Sequence, residues 1–334
     1  MIGWLKIQEA SAVAEARRRA RRTASAMGLN SIKVEHVAIV ATEIAQNVRR
    51  HGGGGKMLIE VFGAPSLERL QIVGYDEGPG MDRIDRMMRD GETTSTSFGT
   101  GLGAIKRLSD SLDIFSEPGG TVVVAEFRKQ HVSSDNCDDH GGFKLAYPGE
   151  RRCGDVIAVR SGNDKCLYLL GDGLGHGVKA SHAAVLAREA FLKGTGSDPA
   201  EILGQIGTAL ENSRGAVGAV IAVDRSGRTL HYAGIGNIST LVVQGRKVRR
   251  MPVRDGLLGG RAASPHEEMV ELEQNAVIIM HSDGLNTLRS LESKIALFQR
   301  SGAVIASSLL AKNLRGRDDA SIIAVRMAPA RSVS

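Results

Sequence analysis

Aromatic side chains are scarce: Phe, Trp and Tyr together make up 4% of the 334 residues, and cysteine occurs three times. No apolar run approaches the roughly 18 residues that a bilayer-spanning helix needs. The opening MIGWLKIQEA lacks a charged-then-apolar leader closed by small residues, so a cytoplasmic chain without a membrane partner is expected. Cys137, Cys153 and Cys166 are too few and too irregularly spaced for a disulfide framework, and none forms a Cys-x-x-Cys pair; they are expected as buried or incidental thiols. The net charge of +6 and the cluster Arg17, Arg18, Arg19, Arg21 and Arg22 raise the question of nucleic acid. Without aromatic platforms or a base-reading motif, an acidic protein partner or a solvated helix face explains that cluster better. What the chain does have is 42% hydrophobic residues, enough over this length for two separate cores.

The first 128 residues run through a short strand, two helices and a glycine run. A hairpin follows from residues 56–62 and 70–75, then strands at 112–116 and 121–128 joined through Pro118-Gly119-Gly120. Helices and antiparallel strands are segregated, which predicts an α+β fold. Composition then shifts: residues 129–142, KQHVSSDNCDDHGG, contain one apolar valine and predict a linker between a domain at 1–128 and another at 143–334. The His131, Cys137, Asp138, Asp139 and His140 within it read as linker residues rather than a metal site. Beyond it, alternating runs with turn signals such as Ser226-Gly227 and Gln244-Gly245, interrupted by helices near 178–192 and 199–212, predict a layered β-sandwich with helices outside.

In the first domain, Val34, Val37, Ala41, Ile44 and Val48 recur at helical steps behind Ser31, which is expected as the N-cap, and Gly52 is expected to end the helix. Glu43 and Asn47 stand four residues apart on it, so their side chains are neighbours and can address one ligand together. Two glycine clusters give that pair a context. Asp76-Glu77-Gly78-Pro79-Gly80 puts a carboxylate at a strand end beside backbone that can pass close to a ligand. Gly99-Thr100-Gly101-Leu102-Gly103 leads into a helix expected at 104–109, a turn that would offer N–H groups to phosphate. No Gly-Lys-Ser/Thr follows, so it is not a P-loop.

Together with Thr42-Glu43-Ile44-Ala45-Gln46-Asn47 and Lys106-Arg107-Leu108, these elements resemble the GHKL family of ATP-binding proteins. Within it they are most similar to the RsbT-like serine kinases of bacterial anti-sigma-factor and stressosome switches. The resemblance implies a Bergerat-type ATP-binding α/β sandwich. It implies Asn47 holding Mg²⁺ on the ATP phosphates, Asp76 accepting from the adenine amino group, and Gly78, Gly80, Gly99, Thr100, Gly101, Leu102 and Gly103 shaping the pocket. Glu43 would be the base for an incoming serine hydroxyl, and residues 92–98 a short lid.

The second domain repeats acids at strand ends: Asp155, Asp172 in Gly171-Asp172-Gly173-Leu174-Gly175-His176-Gly177, Asp283 in Ser282-Asp283-Gly284, and Asp318-Asp319. Such carboxylates can converge on one edge of a sandwich, where hard divalent cations neutralise them. The pattern resembles the metal-dependent PPM phosphatases in their SpoIIE and RsbX-like form. That resemblance implies Asp172 bridging two Mg²⁺ or Mn²⁺ ions, the Gly173 carbonyl ligating one, and Asp155, Asp283 and Asp318 completing the set. Larger members carry a Glu-Asp pair where this chain has Gly154-Asp155. Arg152 does not match the family's phosphate-clamping arginine in spacing, and His176 reads equally as a leaving-group acid or a loop residue.

The two resemblances imply a switch enzyme, kinase fused to phosphatase, acting on a serine of a STAS-domain antagonist. A sigma factor or downstream switch protein would respond, and a homodimer is an admitted assembly. Two rivals stand beside this: an ATP-binding anti-sigma module that transfers no phosphate, and a phosphatase that uses nucleotide only as regulator. Intact Glu43 disfavours both.

Overall fold

The computed structural model describes residues 3–65, 67–81, 98–129, 137, 139–162, 164–224, 228–260 and 265–327. The chain divides into two units, one of Trp4–Phe62 with Ser66–Val132, the other of Ser133–Ser334 with Met1–Gly3 and Gly63–Pro65.

The first unit is a five-stranded antiparallel sheet in the order β1-β2-β3-β5-β4, formed by Leu5–Ile7, Gly55–Phe62, Arg69–Asp76, Ser111–Glu117 and Gly120–Arg128 numbered in chain order. Helices α1 (Ala10–Met27), α2 (Ser31–Arg50) and α3 (Phe98–Leu108) accompany it. α1 buries only Ala16, Ala20 and Ala24, a four-residue step of methyl groups that lets it pack closely, and it stops at Gly28, whose φ of 80° suits a residue without Cβ. α2 is capped by Asn30 rather than Ser31, the Asn30 side chain accepting the Lys33 N–H at 2.8 Å, and it ends at His51, one residue before the glycine. Its buried Val37, Val40, Ala41, Ile44 and Val48 share a core with Met57, Ile59, Leu70, Ile72, Val123 and Phe127 of the sheet. Both expected hairpins form, with Gly55 opposite Asp76 and Glu117 opposite Gly120.

The second unit has two five-stranded antiparallel sheets. One runs β13-β10-β9-β8-β7 and the other β12-β11-β14-β15-β6. The strands are β6 Asp139–Leu145, β7 Asp155–Ser161, β8 Lys165–Gly173, β9 Ala216–Asp224, β10 Thr229–Ile235, β11 Ser239–Gln244, β12 Lys247–Arg250, β13 Glu268–Glu271, β14 Val277–His281 and β15 Ala320–Arg326. The helices are α4 (Val178–Lys193), α5 (Pro199–Ala209), α6 (Ile295–Phe298) and α7 (Gly302–Asn313). β8 is buried on both faces and reads as a continuous apolar run for that reason. Leu167 and Leu169 pack with Ala183, Phe191 and Ile206 of α4 and α5, while Tyr168 points the other way, its ring meeting His140 of β6 at 5.5 Å. This is the expected sandwich with helices outside.

Two expectations are corrected. Residues 139–142, assigned to the linker on composition, are strand: β6 pairs with β15 from Asp139 opposite Arg326 to Leu145 opposite Ala320. Their glycine content has a packing cause. A Cβ on Gly141 would lie 2.2 Å from the Ala303 Cα of α7, so the helix can approach the strand only where there is no side chain. Gly141→Ala should therefore lower the unfolding free energy by about 2 kcal/mol, as overpacking against backbone does. Urea titration is the check, and an unchanged midpoint would contradict it. The cysteines are the second correction: Cys137 and Cys166 form a disulfide, and only Cys153 is a buried thiol. Cys137 precedes β6 and Cys166 lies on β8, in facing sheets, so their 29-residue separation in sequence carried no sign of it.

Candidate functional site

In the first unit, Glu43 and Asn47 emerge half-buried from α2 one turn apart, beside Ile44 and Val48 of its buried face. α3 lies against them: a Cβ on Gly101 would come 3.1 Å from Glu43 Oε2 and 3.6 Å from Asn47 Oδ1. Gly99, Gly101 and Gly103 are thus not a turn ahead of a helix but the first turns of α3 itself, which starts at Phe98. Glycines in that position cost helix stability, and here Gly101 leaves room beside the polar pair. Residues 92–97 of the expected lid lie outside the described residues.

Behind the pair a small cleft of about 40 Å³ is lined by Ile44, Asn47, Val48, His51, Asp76, Gly80, Met81, Leu102, Thr121 and Val123. Asp76 closes it. Its Oδ1 accepts the Gly78 N–H at 3.0 Å, and the Thr121 N–H also bonds it, while burial pushes its carboxyl above the usual range. The surrounding glycines are there for proximity: a Cβ on Gly52 would sit 2.3 Å from Asp76 Cβ, and one on Gly78 would sit 2.9 Å from Gly52 Cα. Gly80 has φ +87° and backs onto the Glu117 carbonyl. The result is an apolar slot with one carboxylate at its end, suited to a flat heterocycle carrying an amino group. Sequence reasoning missed Thr121, which stands directly opposite Asp76 in the β3–β5 register. Of the basic cluster, Arg17 and Arg21 pair with Glu35 and Arg18 with Glu15, so that face is less positive than its composition.

In the second unit, Asp155 begins β7 and Asp172 stands directly opposite it on β8. Asp155 is fully buried and its Oδ2 accepts the Ser282 hydroxyl at 2.7 Å; Ser282 Oγ in turn accepts the Ser321 N–H at 2.9 Å. Burial raises the pKa of both carboxyls, and at Asp172 the charges of Asp155, Asp283 and Asp318 push further the same way. Asp283 and Asp318 stand further out, on the wall of a cavity of about 470 Å³ with Asn286, Leu314, Arg315 and Arg317. Asp283 Oδ2 accepts from Asn237 at 2.9 Å, and its Oδ1 is buried without a partner, as is Asp155 Oδ1. Among the described residues no three acidic, histidine or cysteine side chains are gathered closely enough to hold an ion as they stand. The donor set is nevertheless all hard oxygen, with two orphaned carboxylate oxygens and mutual repulsion that a divalent cation relieves, and it fits such an ion.

Neighbouring residues hold this edge in shape. Asp319 does not join the four acids: its two oxygens accept the Tyr147 and Gly154 N–H groups, each at 2.7 Å, and it fastens the segment leading into Asp155. Gly173 donates to the Gly154 carbonyl at 3.1 Å, and a Cβ on it would meet the Ala180 carbonyl at 2.6 Å, so α4 starts hard against the acid-bearing strands. His176 stacks on Tyr147 at 4.7 Å and approaches Glu150 at 3.2 Å. Arg152 lines a different cavity from Asp283 and Asp318.

A model of the Stage II sporulation protein E (SpoIIE) family matches residues 162–328, half of the chain. The chain belongs to the SpoIIE family. A histidine kinase-like ATPase domain model matches residues 8–127 of this SpoIIE-family chain. The serine/threonine-protein kinase RsbT of Bacillus subtilis is 32% identical over 114 residues, 34% of this chain and 86% of that protein. The phosphoserine phosphatase RsbX of the same organism is 24% identical over 146 residues, 43% of this chain and 73% of that protein. Two solved structures share the fold. A chain from work on the bacterial stressosome as a modular system has TM-score 0.53 and 24% identity, covering 56% of this chain and 98% of that one. RsbX in complex with magnesium has TM-score 0.51 and 22% identity, covering 56% and 94%. This SpoIIE-family protein thus joins a kinase-class domain and a phosphatase-class domain in one chain. In this unit Ser282, Asn237 and Asp319 are supports that sequence reasoning did not assign; the positions of Ser282 beside Asp283 and of Asp319 beside Asp318 hinted at two of them.

Proposed function

We propose that the protein is a bifunctional switch enzyme that phosphorylates, and then dephosphorylates, a serine on a STAS-domain regulatory protein. The observation that supports it best is that each unit holds its own acid-bearing site, Glu43–Asn47 against α3 and Asp155–Asp172 across β7 and β8. In the kinase half, the slot of Ile44, Val48, Leu102 and Val123 would take the adenine, with Asp76 accepting from its amino group and Thr121 supporting that carboxylate. The backbone of Gly99 to Gly103 would offer N–H groups to the phosphates, Asn47 would hold Mg²⁺, and Glu43 would take the proton of the attacking serine hydroxyl. In the phosphatase half, Asp155, Asp172, the Gly173 carbonyl, Asp283 and Asp318 would hold Mg²⁺ or Mn²⁺. The metal, when bound, supplies charge neutralisation at the phosphate and an activated water. Ser282 keeps the Asp155 carboxylate aimed, and Asn237 does the same for Asp283. Domains at residues 1–128 and 143–334 would act independently.

The test follows labelled ATP into candidate STAS proteins, with and without Mn²⁺, using the full chain and two fragments cut near residue 134. ATP binding and transfer by the first fragment, and Mn²⁺-dependent release of phosphate by the second, are expected. A first fragment that binds ATP without transfer would make it an anti-sigma-type binding module and defeat the kinase assignment. Phosphate release that needs both halves would defeat the independence of the domains.

A further inference from the structure

Nine large hydrophobic side chains are markedly exposed among the described residues, and three of them lie within twelve positions on the loop after Asp172 and on α4: Leu174 at 42%, Val178 at 65% and Val185 at 51%. Val178 and Val185 open into a cavity of about 710 Å³, larger than the acid-lined one, whose remaining side chains include Arg152, Lys179, His182 and Arg214. Among the described residues no carboxylate lines it, and Arg152, Lys179 and Arg214 have no acidic partner. The cavity also adjoins the chemistry. A Cβ on Gly175 would meet Arg214 Nη1 at 3.1 Å, Leu174 N–H bonds the Gly215 carbonyl at 3.2 Å, and Ala180 of α4 touches both Gly154 and Gly173. The segment from Asp172 to Val178 therefore leads from the acid-bearing end of β8 to the wall that carries the cations, with Glu150 the carboxylate beside it at Gly177.

We infer that this cavity is the docking site for the protein segment flanking the phosphoserine, and that it selects a segment bearing acidic residues and an aliphatic side chain. This rests on the phosphatase reading and adds to it the class of substrate. Three unpaired cations around a concave surface repel one another and focus a positive potential, which an acidic segment relieves. The exposed valines would be solvated at a cost unless an apolar side chain covers them. A phosphoserine reaching the acids from such a segment would be positioned by contacts remote from the reacting bond, which lower KM for the protein substrate without being needed for hydrolysis itself. The neighbouring four-acid cluster would repel an acidic flank, so the cations also decide which way the segment lies.

Lys179→Glu combined with Arg214→Glu tests this in the full chain, with Val185→Ser as a separate variant that leaves charge alone. Three probes are used with Mn²⁺: p-nitrophenyl phosphate, a phosphoserine peptide with aspartate and leucine flanks, and the same peptide with lysine in place of aspartate. For the double variant the acidic peptide's KM should rise about tenfold with kcat unchanged, the preference over the lysine peptide should vanish, and p-nitrophenyl phosphate should be hydrolysed as by the parent. The parent's preference should also fade with salt and the variant's should not. Val185→Ser should raise the KM of both peptides about equally. An unchanged KM for the acidic peptide in the double variant overturns the docking site. So does a parallel loss on p-nitrophenyl phosphate, which would place these residues in the chemistry or the fold. A parent protein inactive on all three probes overturns the phosphatase reading itself, which a parent active only on p-nitrophenyl phosphate would leave standing while removing the docking site.

Discussion

Asp172→Asn should reduce phosphoserine hydrolysis by more than about a hundredfold, beyond what losing a mere supporting partner of a metal ligand costs. The substitution keeps shape and removes one negative charge from the pair that faces across β7 and β8. In the metal-free protein the asparagine relieves repulsion with buried Asp155, so the urea midpoint should stay level or rise, and lost activity cannot be assigned to unfolding. Calorimetric titration with Mn²⁺ should show weakened binding, while transfer of phosphate by the first unit continues at the parent rate. If both activities serve one substrate, a time course of phosphoserine on the STAS protein should change from a transient to stable accumulation. Retained hydrolysis at the parent rate would remove Asp172 from the site.

Glu43→Ala should leave ATP affinity within about twofold and slow phosphoryl transfer by a factor on the order of 10² to 10⁴, the range a general base contributes. Alanine is a strong helix former, and Glu43 is half-buried with its carboxylate turned to Gly101 rather than into the core, so α2 should keep its stability. Asn47→Ala should behave differently, weakening ATP binding in the presence of Mg²⁺, because a group that holds the metal contributes to the bound state as well as to the transition state. Single-turnover transfer and fluorescence binding of a nucleotide analogue separate the two. Equal transfer by Glu43→Ala and the parent would leave the base unassigned and revive the binding-module alternative.

Glu43 and Asn47 were legible because helical periodicity is local: Val37, Ala41, Ile44 and Val48 place the buried face, and any residue four positions from another is then its neighbour. The strand-end position of Asp76, Asp155, Asp172 and Asp283 was legible on similar grounds, since alternating apolar runs end visibly. Less legible was how the strands align. Register between β7 and β8 makes Asp155 and Asp172 opposite one another, and register between β3 and β5 brings Thr121 to Asp76; pairing of this kind depends on the partner strand.

The sequence by itself determined the α+β class, the order of the two sets of motifs and the identity of the acids, because those follow from local pattern and residue chemistry. Only the tertiary structure decided how glycine and cysteine are used. Residues 139–142 look like linker because they are polar and glycine-rich, yet they are strand because α7 needs a surface without side chains on which to lie. Cys137 meets Cys166, and Asp319 becomes a backbone fastener while adjacent Asp318 faces a cavity, for the same reason: each outcome is set by which distant segment packs alongside. A cation-lined cavity assembled from Arg152, Lys179 and Arg214 is likewise absent from any stretch of sequence, since residues dozens of positions apart share a wall only once the sheet and α4 have closed on each other.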